Sequence, residues 1–152
     1  MLDNVIEDDD FMLIMQKNIM DMIIYFFDKA QEFSILCKIE HVSFEPTLPE
    51  EINLQFRSLT LFSIAGYTFE SAKIEDDKLI FEAGFGEQNV GSIVSVPLLA
   101  IMQIIIDNTP ILINLSTYKQ LNKATQKIDD NGVENSTNSF LSNPENSKFF
   151  KK

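Results

Sequence analysis

The supply of apolar side chains ends near Thr117, and that break limits how much of the chain can build a core. Before it the sequence is rich in Ile, Leu, Phe and Met. After it, residues 119–146 are mostly Asn, Ser, Lys, Asp, Thr and Gly. So few apolar groups do not offset the entropy of ordering a backbone, and residues 119–147 are predicted to form a disordered linker. Residues 1–118 remain as a body, the size of one ordinary domain. The charge divides at the same place. The body holds 6 basic and 19 acidic residues, net −13; residues 119–152 hold 6 and 4, net +2. The chain then closes on Lys148, Phe149, Phe150, Lys151 and Lys152, a Phe pair beside three lysines that reads as a short apolar and basic docking motif.

Charge also narrows the function classes. A formal −11 with a pI near 4.4 argues against phosphate-backbone binding and against docking on anionic lipid, both of which need a basic surface. The single cysteine, Cys37, rules out an internal disulfide and fits a reducing compartment. The N-terminus is acidic, unlike an export signal, and no apolar run approaches the roughly 20 residues that span a bilayer. The expectation is a soluble cytoplasmic protein with no membrane or nucleic-acid partner for its body.

Periodicity predicts a helix over residues 11–30, opened by Asp8, Asp9 and Asp10 where carboxylates favour the positive end of the dipole. Lys17, Asp21 and Asp28 mark a narrow polar stripe; Phe11, Met12, Met15, Ile19, Met22, Ile23, Phe26 and Phe27 cover much of the rest. A stripe that wide exceeds what one sheet covers, so the helix is either deeply buried or shared with a second subunit. Strands are predicted over residues 33–42, over 52–56 from the alternation Ile52-Leu54-Phe56, and over 60–65 up to Gly66. A hairpin spans 74–85 with Asp76-Asp77-Lys78 as its turn, and strands follow at 92–96 and 111–115. Pro97 is expected to open a short second helix over 98–106, ended by Asn108-Thr109-Pro110. The class is α+β: an N-terminal helix packed on a mostly antiparallel two-sheet sandwich or open barrel.

Catalytic signals are thin. Cys37 lies in an apolar strand pattern and reads as core, His41 stands near a strand end with no nucleophile motif, and Gly84-Phe85-Gly86 lacks the Gly-Lys-Ser/Thr of a phosphate loop. The close acidic pairs Glu50-Glu51 and Asp76-Asp77 look like turn residues. The residues favour a binding protein over an enzyme, with no cofactor and no metal.

One region is more specific. The stretch LFSIAGYTFESAKIEDDKLIFEAGFG, followed by IVSVPLLAIMQI, resembles the stringent starvation protein B (SspB) family, adaptors that deliver tagged substrates to the ClpXP protease. The matching residues are Phe62, Ile64 and Ala65; Asp77; Phe81, Ala83, Phe85 and Gly86; Val94, Val96 and Pro97; Ala100 and Ile101. The family's opening dimer helix corresponds to residues 11–30, and its terminal docking segment to Phe149, Phe150, Lys151 and Lys152. The likeness covers residues 61–115 well and the rest in outline.

The resemblance implies a non-catalytic homodimer. Each body binds an ssrA-tagged peptide in a groove between sheets, and the tail docks on the ClpX unfoldase. It assigns peptide binding to Phe62, Ile64, Phe81, Ala83, Gly84, Phe85 and Gly86, with the small residues where a foreign main chain comes close. It assigns the dimer contact to Phe11, Met15, Ile19, Met22 and Phe26. Two positions depart from the family pattern. Glu87 stands where a second glycine is usual, and Gly84 where arginine is often found; with an acidic body this favours a neutral or basic peptide over an acidic one. The rival readings are an SspB-like module with another partner and a small ligand-binding barrel.

Overall fold

The computed structural model describes residues 1–118. The expected linker (119–147) and terminal motif (148–152) lie outside the described residues.

Helix α1 (Leu2–Ile6) leads into α2 (Asp9–Asp28). Asp8 takes the extended N-cap backbone but makes no side-chain cap bond, and Asp9 and Asp10 stand in the first turn, where carboxylates favour the positive end of the dipole. The helix ends in two reversed bonds: Ala30 N–H donates to Phe27 O and Gln31 N–H to Phe26 O, with Ala30 in the left-handed region at φ 56°. Its polar stripe faces out as the sequence predicts, with Lys17 Nζ 2.7 Å from Asp21 Oδ2.

Two four-stranded antiparallel sheets follow. One is ordered β3 (Leu59–Ile64), β1 (Phe33–Lys38), β7 (Ile101–Ile106), β8 (Thr109–Ile113); the other β2 (Ser43–Glu45), β6 (Val90–Pro97), β5 (Lys78–Phe85), β4 (Lys73–Glu75). Alternation places Ile35, Cys37, Phe62, Ile64 and Ile104 on the inner face of the first sheet and Leu79, Phe81, Val94 and Val96 on the inner face of the second, all buried. The Phe62 and Phe81 rings meet across the core, centroids 5.6 Å apart. Met12, Ile19, Ile23 and Phe26 of α2 complete the core, Phe26 lying 5.4 Å from Phe33. No helix of the described residues is long and apolar enough to cross a membrane.

The α+β class, the leading helix and the two sheets agree with the sequence. Several elements differ from it. Residues 98–106 are not a helix: a single buried 3-10 turn, Leu98–Ala100, leads directly into β7. The β-branched residues Ile101, Ile104, Ile105 and Ile106 prefer a pleated surface, and β1 and β8 offer partners on both sides. Asp107 and Asn108, both left-handed (φ 53° and 65°), then form the two-residue hairpin turn to β8, where Pro110 sits on an edge strand. Residues 52–56 are not a strand: Pro49 opens the short helix α3 (Glu50–Asn53), with Glu50 and Glu51 in its first turn. Gly66, at φ 59°, leads into a further short helix, α4 (Tyr67–Ser71), that the sequence reading lacks. The predicted Asp76-Asp77 turn is present, with both residues left-handed (φ 54° and 61°).

The expected dimer contact on α2 is corrected in part. Ile19 and Phe26 are 0% and 4% exposed and belong to the core of their own body, so neither is available to a partner. Phe11, Met15 and Met22 are half-buried, whereas Leu13, Ile14, Ile24 and Tyr25 are the exposed apolar residues of the helix.

Candidate functional site

A trough of about 530 Å³ crosses the outer face of the β2-β6-β5-β4 sheet. Register explains why it is there. Gly84 on β5 lies opposite Gly91 on β6, so two neighbouring positions on that face carry no side chain and the floor is bare backbone. Alongside, Glu82 lies opposite Ile93, and Ile93 opposite Glu45 of β2. The two carboxylates therefore share one row, separated by Ile93, which is 44% exposed. No lysine, arginine or histidine lines the trough, so its potential is negative.

Helix α4 forms one wall and fixes the strand beside it. Thr68 Oγ1 donates to Glu82 O at 2.9 Å, Glu82 N–H donates to Ser71 Oγ at 2.9 Å, and Tyr67 Oη donates to Glu82 Oε1 at 2.5 Å. The hydrogen bond to Glu82, and then that carboxylate's charge, push the Tyr67 phenol above its ordinary range.

These bonds also show which way the strand's main chain points. Glu82 directs its N–H and C=O away from β6, toward α4, as Ile80 and Lys78 do toward β4. Alternation then gives Gly84 the same direction, and β4 has ended by that point. On that side Gly84 has no partner among the described residues. This is an open strand edge beside a bare floor, the arrangement an extended chain can extend by main-chain hydrogen bonds.

The β5–β6 turn reaches back over this floor. Asn89 is left-handed (φ 54°) and its N–H donates to Gly86 O at 3.0 Å. Its carboxamide lies over Gly84: a Cβ built there would stand 1.9 Å from Asn89 Oδ1 and 3.1 Å from Nδ2. A side chain at position 84 would therefore push this chain's own amide aside.

Of the seven residues assigned to peptide binding, Ala83 and Gly84 line the trough. Phe62, Ile64 and Phe81 do not: at 6%, 0% and 1% exposed, they are core. Phe85 points inward and joins a cluster with Phe44, Phe56 and Phe62, its centroid 5.6, 5.9 and 6.2 Å from theirs. Gly86 (φ 76°) belongs to the turn, and a Cβ there would come 3.1 Å from Ile52 Cδ1. The gap between the sheets at this end is therefore filled by aromatic rings, and the open surface lies on the outer face instead. Protease-docking residues Phe149, Phe150, Lys151 and Lys152 lie outside the described residues. Sequence reasoning missed Asn89, Tyr67, Glu82 and Glu45. A glycine pair facing across a hairpin closed by an Asn in a Gly-x-x-Asn turn was the available signal for the first.

Cys37 is fully buried, its Sγ 3.7 Å from Thr60 O, and burial pushes its thiol up to about 12. That is the environment of a packing residue, not of a thiolate nucleophile. His41 lies beside the Glu40 carboxylate, 3.3 Å away, and outside the trough. Compared with family models and with curated proteins, the chain matches none.

Proposed function

We propose that this chain is a non-catalytic peptide-binding adaptor of the SspB type. An extended degradation-tag peptide occupies the outer trough, and the terminal segment with Phe149, Phe150, Lys151 and Lys152 engages the ClpX unfoldase so that ClpXP degrades the bound substrate. The observation that carries the reading is the open β5 edge at Gly84 beside the facing Gly84–Gly91 pair, which adds no side chain to the floor. A peptide main chain fits such a surface, and a surface of that openness suits a chain better than a small enclosed ligand, which favours the peptide reading over a ligand-binding barrel. The compartment in this proposal is the cytoplasm. The working form is a homodimer, joined through the half-buried Phe11, Met15 and Met22 of α2 with the exposed apolar residues beside them.

One observation favours a different peptide partner on the same surface. The Glu45–Ile93–Glu82 row offers an apolar rest between two carboxylates, which suits the stem and head of a lysine or arginine and repels an acidic segment. The test is a fluorescence-anisotropy titration of the full chain with a labelled ssrA-tag peptide and with neutral and lysine-substituted versions of it. A second measurement follows degradation of a tagged substrate by ClpXP. Removing residues 148–152 is expected to leave peptide affinity unchanged and to abolish the enhancement of degradation. Loss of both together would refute the division of labour between body and terminus.

A further inference from the structure

The Asn89 carboxamide is a polar group without a job in the folded chain. It projects from a turn over the Gly84 floor, it lines the trough, and no hydrogen bond from its side chain is made among the described residues. An asparagine amide presents a donor and an acceptor side by side, the same pair that a peptide unit presents. We propose that Asn89 is the main-chain clamp of the trough: Oδ1 accepts an N–H from the bound extended peptide and Nδ2 donates to a C=O of the same chain, while Gly84 keeps the amide in place by having no side chain. The proposal rests on the peptide-adaptor reading and deepens it.

The geometry dictates the roles. The amide enters from the β5–β6 turn on the face of the sheet, whereas the free N–H and C=O of Gly84 point along the sheet toward the open edge. A strand laid at that edge is held from the side by Gly84 and from the hairpin end by Asn89. Both contacts read backbone only, so they supply affinity common to many sequences, and the Glu82 carboxylate two residues along the same strand supplies the discrimination. The left-handed backbone at position 89 aims the amide, and asparagine is one of the few side-chain-bearing residues that adopts it at low cost.

Three variants of the full chain test this against a fluorescein-labelled ssrA-tag peptide. Asn89→Gly keeps the left-handed turn and deletes the amide; two neutral hydrogen bonds lost correspond to an affinity about tenfold weaker. Gly84→Ala leaves the amide present but displaces it, and is expected to weaken binding to a similar extent. The double variant is expected to be no weaker than either single one, because both act through one group. A peptide N-methylated at successive residues gives the signature a merely structural role would not produce. One methyl position that weakens binding to the unaltered chain is expected to have no effect on Asn89→Gly. Equal affinity of the unaltered chain and Asn89→Gly, or a methyl scan unchanged by the variant, overturns the clamp and leaves peptide binding standing. If the unaltered chain binds neither this peptide nor its lysine-substituted version, the adaptor reading and the clamp fall together. Far-ultraviolet circular dichroism and a urea midpoint for each variant separate loss of the clamp from loss of the fold.

Discussion

Replacing Phe81 by leucine distinguishes a core role for the β5 aromatic residues from a binding one. The side chain is 1% exposed and its ring centroid lies 5.6 Å from that of Phe62. Leucine keeps most of the buried carbon but changes its shape, which costs about 1–1.5 kcal/mol in a close-packed interior. The lost ring pair adds about 0.5–1.5 kcal/mol, for a total near 2 kcal/mol. Alanine at the same place would cost about 3–5 kcal/mol, a large part of the roughly 5–15 kcal/mol that holds a domain together, so leucine is the usable perturbation. For a body of this length the loss corresponds to a melting temperature roughly 6–12 °C lower. The assay is urea unfolding followed by circular dichroism, with a peptide titration run in parallel at a temperature where both forms are folded. The midpoint is expected to fall at constant slope, and peptide affinity to stay within about twofold. An unchanged midpoint with collapsed affinity would put the ring against ligand and refute the core assignment.

Two further predictions concern the frame around the site. Ala30→Gly relieves a left-handed alanine at the end of α2; the strain of about 1–2 kcal/mol exceeds the extra chain entropy of glycine, about 0.5–1 kcal/mol, so the urea midpoint should rise, and a fall would show that the φ of 56° is not maintained in solution. Tyr67 is raised by its bond to Glu82, so the contact contributes stability below the ordinary tyrosine pKa near 10 and loses it as the pH climbs through the raised value. An ultraviolet titration should show late-ionising phenols, Tyr118 raised by burial among them, one of which is lost in Tyr67→Phe and moves toward the ordinary range in Glu82→Gln; an identical titration curve in Glu82→Gln would remove the contact.

Local chemistry made some of this legible. Asp76-Asp77 between two apolar runs reads as a tight hairpin turn because aspartate tolerates the left-handed region, and the turn is there. Cys37 reads as core from its alternation with Ile35, and it is buried. Other signals had two meanings. Pro97 fits the first turn of a helix, yet one 3-10 turn satisfies it before the isoleucines of β7 find strands on both sides. Ile52, Leu54 and Phe56 alternate, but Pro49 starts a helical turn and Phe56 stacks on Phe44, interplanar angle 6°. The family pattern around Phe81-x-Ala83-x-Phe85 falls on the strand that runs under the trough, with its two aromatic rings turned into the core. Strand alternation fixes only that these three residues share a side; which side faces solvent depends on the packing of the other sheet. The Glu45–Ile93–Glu82 row was out of reach, because its members come from three strands whose register no single segment encodes.

The end of the body has a mechanical consequence. Just past β8, the fully buried Asn114 donates from Nδ2 to Leu99 O and Ile101 O at 3.1 and 3.0 Å, and its Oδ1 accepts from the Ser116 N–H and hydroxyl at 2.9 and 2.7 Å. Thr117 N–H then donates to Ile6 O. A pulling force applied beyond Thr117 would meet this knot before it reached β8, an outermost strand that would otherwise peel away one rung at a time. The knot makes several bonds bear the load at once, and the ladder behind it is shielded until they break.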